Sequence, residues 1–98
     1  YKLDALLTPT TPTTAFPIGA IYGDSVLMQY SDQFTVPANH AGIPGISLPA
    51  GIATDGLPVG VQLLGPDFSE QTLLQMGRAI EIGTQDEAWR SIKPAVLG

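Results

Sequence analysis

Eleven glycines and nine prolines punctuate a chain of 98 residues, and that punctuation limits the possible folds more than any other feature. Proline fixes φ and removes a backbone donor, while glycine supplies turns and close backbone approaches, so long uninterrupted helices are disfavoured. What is left is a set of short apolar runs between rigid corners. Hydrophobic residues make up 44% of the chain, too many for a disordered segment. Charged residues make up only 13%, against about 25% in an average soluble domain. Much of the surface is therefore expected to meet other protein. The length suits one small domain or a part of a larger one.

Four basic against nine acidic residues give a net charge of −5, and Lys2, Arg78, Arg90 and Lys93 are scattered. A phosphate-binding face needs clustered cations, so the chain is not expected to hold a nucleic acid by itself. The absence of cysteine excludes disulfides, thiolate nucleophiles and cysteine metal sites, and His40 is the single histidine. No apolar run reaches the roughly 18 residues of a membrane span, and Tyr1-Lys2-Leu3-Asp4 does not open a signal peptide. The cytoplasm is the default compartment.

Leu3-Asp4-Ala5-Leu6-Leu7, ending at Thr8-Pro9, reads as a strand buried on both faces. The Thr- and Pro-rich stretch 10–14 follows as an ordered loop at its C-terminal end. Asp24 or Ser25 can cap a short helix with Leu27, Tyr30 and Phe34 on one face and Asp32 off that face. Pro37 fits the first turn of another short helix, and the Asn39 amide is a candidate to hold backbone. The runs 46–51 and 59–64 flank Asp55-Gly56-Leu57-Pro58, a hairpin signal, with Gly60 and Gly65 at close contacts or strand ends. Ser69 is a candidate N-cap of the last helix, with Phe68 and Leu73 at the spacing of a hydrophobic staple. Leu73, Leu74, Met76 and Ile80 form its apolar stripe, and Gly77 implies close packing on a sheet. Trp89 and Pro94 mark a tail laid over a neighbouring surface. The alternation of strands and short helices points to an edge or half of an α/β layer structure.

Chemistry is sparse. A serine nucleophile needs a base in reach, and nothing in the spacing pairs Ser25, Ser31, Ser47, Ser69 or Ser91 with His40 or a lysine. Asp86, Glu87 and Glu81 lie in a region that reads as a solvated helix end. Gly42-Ile43-Pro44-Gly45 contains a proline and lacks the lysine of a phosphate loop. No catalytic and no metal-binding residue is assigned.

Longer strings are more informative. Asp4-Ala5-Leu6-Leu7-Thr8-Pro9-Thr10-Thr11-Pro12-Thr13-Thr14-Ala15-Phe16 resembles the segment D-x-L-L-x-P-T-x-P-x-x-A near the C-terminus of amidase-signature enzymes. Tyr30-Ser31-Asp32-Gln33-Phe34-Thr35-Val36-Pro37-Ala38-Asn39, then Ala41-Gly42-Ile43-Pro44-Gly45-Ile46-Ser47-Leu48-Pro49-Ala50-Gly51, is similar to the version in the glutaminase subunits of glutamyl-tRNA(Gln) and aspartyl-tRNA(Asn) amidotransferases. Gly56-Leu57-Pro58-Val59-Gly60-Val61-Gln62-Leu63-Leu64-Gly65 completes the resemblance, which covers residues 3–82 and leaves 83–98 as a tail.

The resemblance implies that residues 1–98 are a C-terminal fragment of the amidase-signature α/β/α fold, with a mixed sheet, buried strands, one hairpin and short helices. The family's Ser–cis-Ser–Lys triad lies in a Gly/Ser-rich region with no counterpart here, so none of its members carries over and the piece alone is expected to be inactive. In the family reaction glutamine is hydrolysed and its ammonia passes to a partner subunit, where ATP and Mg²⁺ are expected. The implied partners are the N-terminal part of the same enzyme, the other amidotransferase subunits and glutamine, with tRNA met only through a partner subunit. Asp32 matches the substrate-binding aspartate, which pairs with the α-ammonium group. Two alternatives stay open: a fragment of another amidase-signature amide hydrolase, and a stand-alone non-catalytic interaction domain.

Overall fold

The computed structural model describes residues 2–21 and 23–93. Strand β1 spans Leu6–Pro9, helix α1 Ser25–Ser31, helix α2 Val36–Ala41, strand β2 Gly45–Ile52, strand β3 Pro58–Leu64 and helix α3 Glu70–Gly83, and a 3-10 turn follows at Ala88–Ser91. The strands form one sheet in the order β1-β3-β2. Both pairings are antiparallel. The chain is thus α/β as expected, and the strands it contributes run alternately.

The hairpin of β2 and β3 forms at Asp55-Gly56, where the sequence predicts a turn. Gly56 has a φ of 82°, in the left-handed region that glycine reaches without steric cost. The Asp55 carboxylate accepts from the Leu57 N–H at 3.0 Å and from the Thr14 hydroxyl at 2.6 Å, tying the turn to the Thr/Pro loop. Opposite β3, the register shifts between Pro49 and Gly51. Pro49 sits at this bulge on an outer strand, where a residue without an N–H is tolerated.

Strand β3 is central and carries the core. Leu63 is 2% exposed and Leu64 is buried beside it. Helix α3 lies over β2 and β3 and adds Leu73, also 2% exposed. Gly77 explains how closely it lies: a Cβ there would sit 3.4 Å from the Ile46 side chain and 3.5 Å from that of Leu48. The expected glycine contact between helix and sheet is present.

Several expectations are corrected. The first strand is not buried: it begins at Leu6 rather than Leu3, and Leu7 is 63% exposed. The cause is position, since β1 is an outer strand and α3 does not extend over it. The staple does not form, because Phe68 has a φ of 60° that turns its ring outward to 93% exposure. Ser69 precedes α3 but makes no side-chain cap, and its buried hydroxyl has no partner among the described residues. That hydroxyl points back at Gly65, where a Cβ would approach it to 2.2 Å. Leu74 lies on the solvent side of α3. Trp89 lies in the 3-10 turn, which touches β2, while Pro94 is outside the described residues.

Candidate functional site

The alternation of side chains along a strand gives the sheet two unlike faces. One carries Ile46, Leu48 and Leu63 under α3. The other carries a polar row, because Thr8 pairs with Gln62 and Gln62 with Ser47 across the three strands. Gln62 is 6% exposed, and a buried amide needs partners. Its Nε2 donates to the Thr8 hydroxyl at 2.9 Å and to the Phe34 carbonyl. Further along, the Thr10 hydroxyl reaches across Gly60 to within 3.0 Å of the Ser47 hydroxyl. Gly60 permits this crossing, since a Cβ there would lie 3.2 Å from Thr10 Oγ1.

Above this polar row stands the turn that joins α1 to α2. Asp24 caps α1 as expected, accepting from the Val26 and Leu27 N–H groups at 3.1 and 3.0 Å. The helix ends at Asp32, so Phe34 lies beyond the helix rather than on its apolar face. Pro37 opens α2 and Gly42, with a φ of 71°, closes it. Asn39 holds no backbone among the described residues.

Asp32 is the pivot of this turn. Its carbonyl accepts from the Thr35 and Val36 N–H groups, both at 3.0 Å, and from the Thr35 hydroxyl at 3.1 Å. Its carboxylate is exposed and, among the described residues, has no hydrogen-bond partner. It lines an open hollow with Gln29, Gln33, Val36 and Pro37. Ser31, one residue earlier, lines a second hollow with Thr11, Thr13 and Thr14 of the Thr/Pro loop. An unpaired carboxylate at a structurally fixed turn can receive a cationic group of a ligand through a charge-assisted hydrogen bond. Asp32, the one site residue expected from the sequence, is thus fixed by its backbone and free at its side chain.

Sequence reasoning missed Gln62, which ties the sheet to this turn. Its signal is visible in Val59-Gly60-Val61-Gln62-Leu63-Leu64: a long amide inside a run with the character of a buried strand demands hydrogen bonds from outside that strand.

Arg78 pairs with Glu81 on the surface of α3 at 2.8 Å, and Arg90 stacks 4.5 Å over the Trp89 ring. His40 lies in the last turn of α2. Among the described residues no serine hydroxyl is hydrogen-bonded to a basic side chain, no group of three or more metal-ligating side chains forms, and no helix is long and apolar enough to cross a membrane.

Residues 1–74 match the Amidase family. The chain is 50% identical over 92 residues to the glutamyl-tRNA(Gln) amidotransferase A-subunit of Parvibaculum lavamentivorans, with 90% of this chain and 19% of that protein covered. It is 51% identical over 97 residues to the corresponding protein of Lactococcus lactis subsp. cremoris, with 99% of this chain and 19% of that protein covered. The crystal structure of the glutamyl-tRNA(Gln) amidotransferase A-subunit from Thermotoga maritima superposes with a TM-score of 0.74 at 50% identity, covering 80% of this chain and 17% of that one. The chain thus spans about a fifth of the length of these relatives. Its α/β order, its hairpin and its sequence all agree on one conclusion: the chain belongs to the amidase family.

Proposed function

We propose that this chain is the C-terminal part of the glutaminase subunit of a tRNA-dependent amidotransferase, which hydrolyses glutamine and supplies ammonia for converting Glu-tRNA(Gln) to Gln-tRNA(Gln). The observation that carries this reading is the free Asp32 carboxylate on a turn anchored at its backbone, in a chain half identical to such subunits. In the proposed role Asp32 binds the α-ammonium group of glutamine. A site that selects an amino acid over a simple amide needs a carboxylate for that cationic end.

The nucleophile and its base belong, on this proposal, to the rest of the subunit. The same part of the enzyme covers β1 and the outer face of α1. On this proposal ATP and Mg²⁺ act in a partner subunit, which also holds the tRNA.

The test measures ammonia release from glutamine by the chain alone, by the complete enzyme and by its Asp32→Asn variant. The chain alone should give none. Asp32→Asn should lower kcat/KM for glutamine by about ten- to a hundredfold, the size of a lost charge-assisted hydrogen bond. Product formation from free ammonia should persist, since ammonia bypasses the glutamine site. A variant that uses glutamine as well as the parent would return Asp32 to an ordinary surface role.

A further inference from the structure

The amide of Gln62 has two N–H donors, and both are spent on bridging separate parts of the chain. One goes to Thr8 on β1 and the other to the Phe34 carbonyl, within the turn 32–35. Phe34 lies two residues from Asp32, whose carbonyl gathers three donors from Thr35 and Val36. The hydrogen bond from Gln62 is the side-chain link, among the described residues, between this turn and the sheet.

We infer that Gln62 is a positioning residue for glutamine binding: by holding the Phe34 carbonyl it sets the height and orientation of the Asp32 turn above the polar row of the sheet. The inference rests on the binding role proposed for Asp32. Burial supports it. Gln62 sits on the central strand between Thr8 and Ser47 with its side chain almost wholly buried, so the turn it holds is tied directly to β3. Thr8 braces the amide from the far side and fixes which way its NH₂ points. A binding carboxylate displaced by even about an ångström loses much of its effect on a bound substrate. Asp32 itself has no side-chain hydrogen bond, among the described residues, that would hold it in place.

The test uses the complete enzyme in four forms: parent, Gln62→Met, Asp32→Asn and the double variant. Methionine keeps the length and unbranched shape of glutamine but donates nothing. Glutamine kinetics and amide hydrogen exchange at Thr35 and Val36 are read for each. Gln62→Met should raise KM for glutamine about tenfold, with a much smaller change in kcat, as expected for a lost binding contact of ordinary strength. It should also speed exchange at Thr35 and Val36 while the amides of β3 stay protected. In the Asp32→Asn background it should add little, because both changes act through one carboxylate.

Two results would overturn the inference: KM and exchange at parent values in Gln62→Met, or the same fold-loss in both backgrounds, which would mark a general packing role. An Asp32→Asn enzyme with parent kinetics would remove the pocket reading instead, and exchange at Thr35 and Val36 would still report whether Gln62 holds the turn. Should Gln62→Met fail to fold, Thr8→Val takes its place. It frees one side of the amide and should move KM and exchange in the same direction by a smaller factor, about two- to threefold; unchanged values would overturn the inference equally.

Discussion

The two halves of this molecule bury their apolar residues very differently. From Gly45 to Gly83, the hairpin and α3 close on each other, and Leu63, Leu64 and Leu73 are buried. Before Gly42, β1, α1 and α2 are ordered by caps, turns and hydrogen bonds, yet Leu6, Leu7, Val26, Leu27 and Tyr30 remain exposed. Local geometry and burial are separate achievements: the first half has regular elements without a core to stabilise them. On the function proposed above, these exposed apolar side chains meet the rest of a larger enzyme.

The largest expected effect sharpens that contrast. Leu73→Ala should destabilise by about 2–5 kcal/mol, the usual cost of emptying a core leucine site, whereas Leu27→Ala in the isolated chain should stay within about 0.5 kcal/mol of the parent, as surface changes do. Denaturant unfolding of both variants measures the difference. A costly Leu27→Ala in the isolated chain would mean that the first half has a core of its own.

A smaller effect probes how tightly α3 lies on the sheet. Gly77→Leu should cost about 1–3 kcal/mol, because the new side chain must wedge between α3 and Ile46 and Leu48. Gly77→Ala should be neutral or gain up to about 1 kcal/mol of helix propensity, since its Cβ meets those side chains near van der Waals contact. Thermal unfolding of the two variants separates the contributions.

Much of this division is legible in the sequence, for physical reasons. Caps and turns are local, so Asp24, Pro37 and Asp55-Gly56 locate their elements, and Gly77 announces the helix–sheet contact. Burial is not local. The run from Leu3 to Leu7 has the composition of an interior strand, but composition does not say whether the covering layer is present, and here α3 stops short of β1. Phe68 and Leu73 have the spacing of a staple, yet a single positive φ at Phe68 sends its ring to solvent. At the candidate site, Asp32 is reached through the family resemblance. Gln62 is not, because its partner Phe34 is 28 residues away in sequence and bonds through a main-chain carbonyl.

The smallest effect concerns a tether between the halves that titrates. The hydrogen bond from Thr14, helped by the Leu57 N–H, holds the Asp55 carboxyl below its ordinary value of 3.8. A group with a depressed folded pKa stabilises above its unfolded pKa, and that contribution is lost as pH falls through the folded value. The link between the Thr/Pro loop and the hairpin turn should therefore be intact at neutral pH and weaken only below about pH 4. Stability measured against pH should fall less steeply in that acid range for Asp55→Asn than for the parent, and equal slopes would show that the Asp55 tether contributes nothing.

Amide hydrogen exchange, compared residue by residue between the chain alone and the complete enzyme, shows which elements need a partner layer to hold them. β3 and α3 should be protected in both, because their core is internal to the chain, while β1, α1 and α2 should exchange rapidly in the chain alone and become protected only in the complete enzyme. Equal protection of α1 and β1 in the two forms would contradict this, since those elements would then need no partner layer.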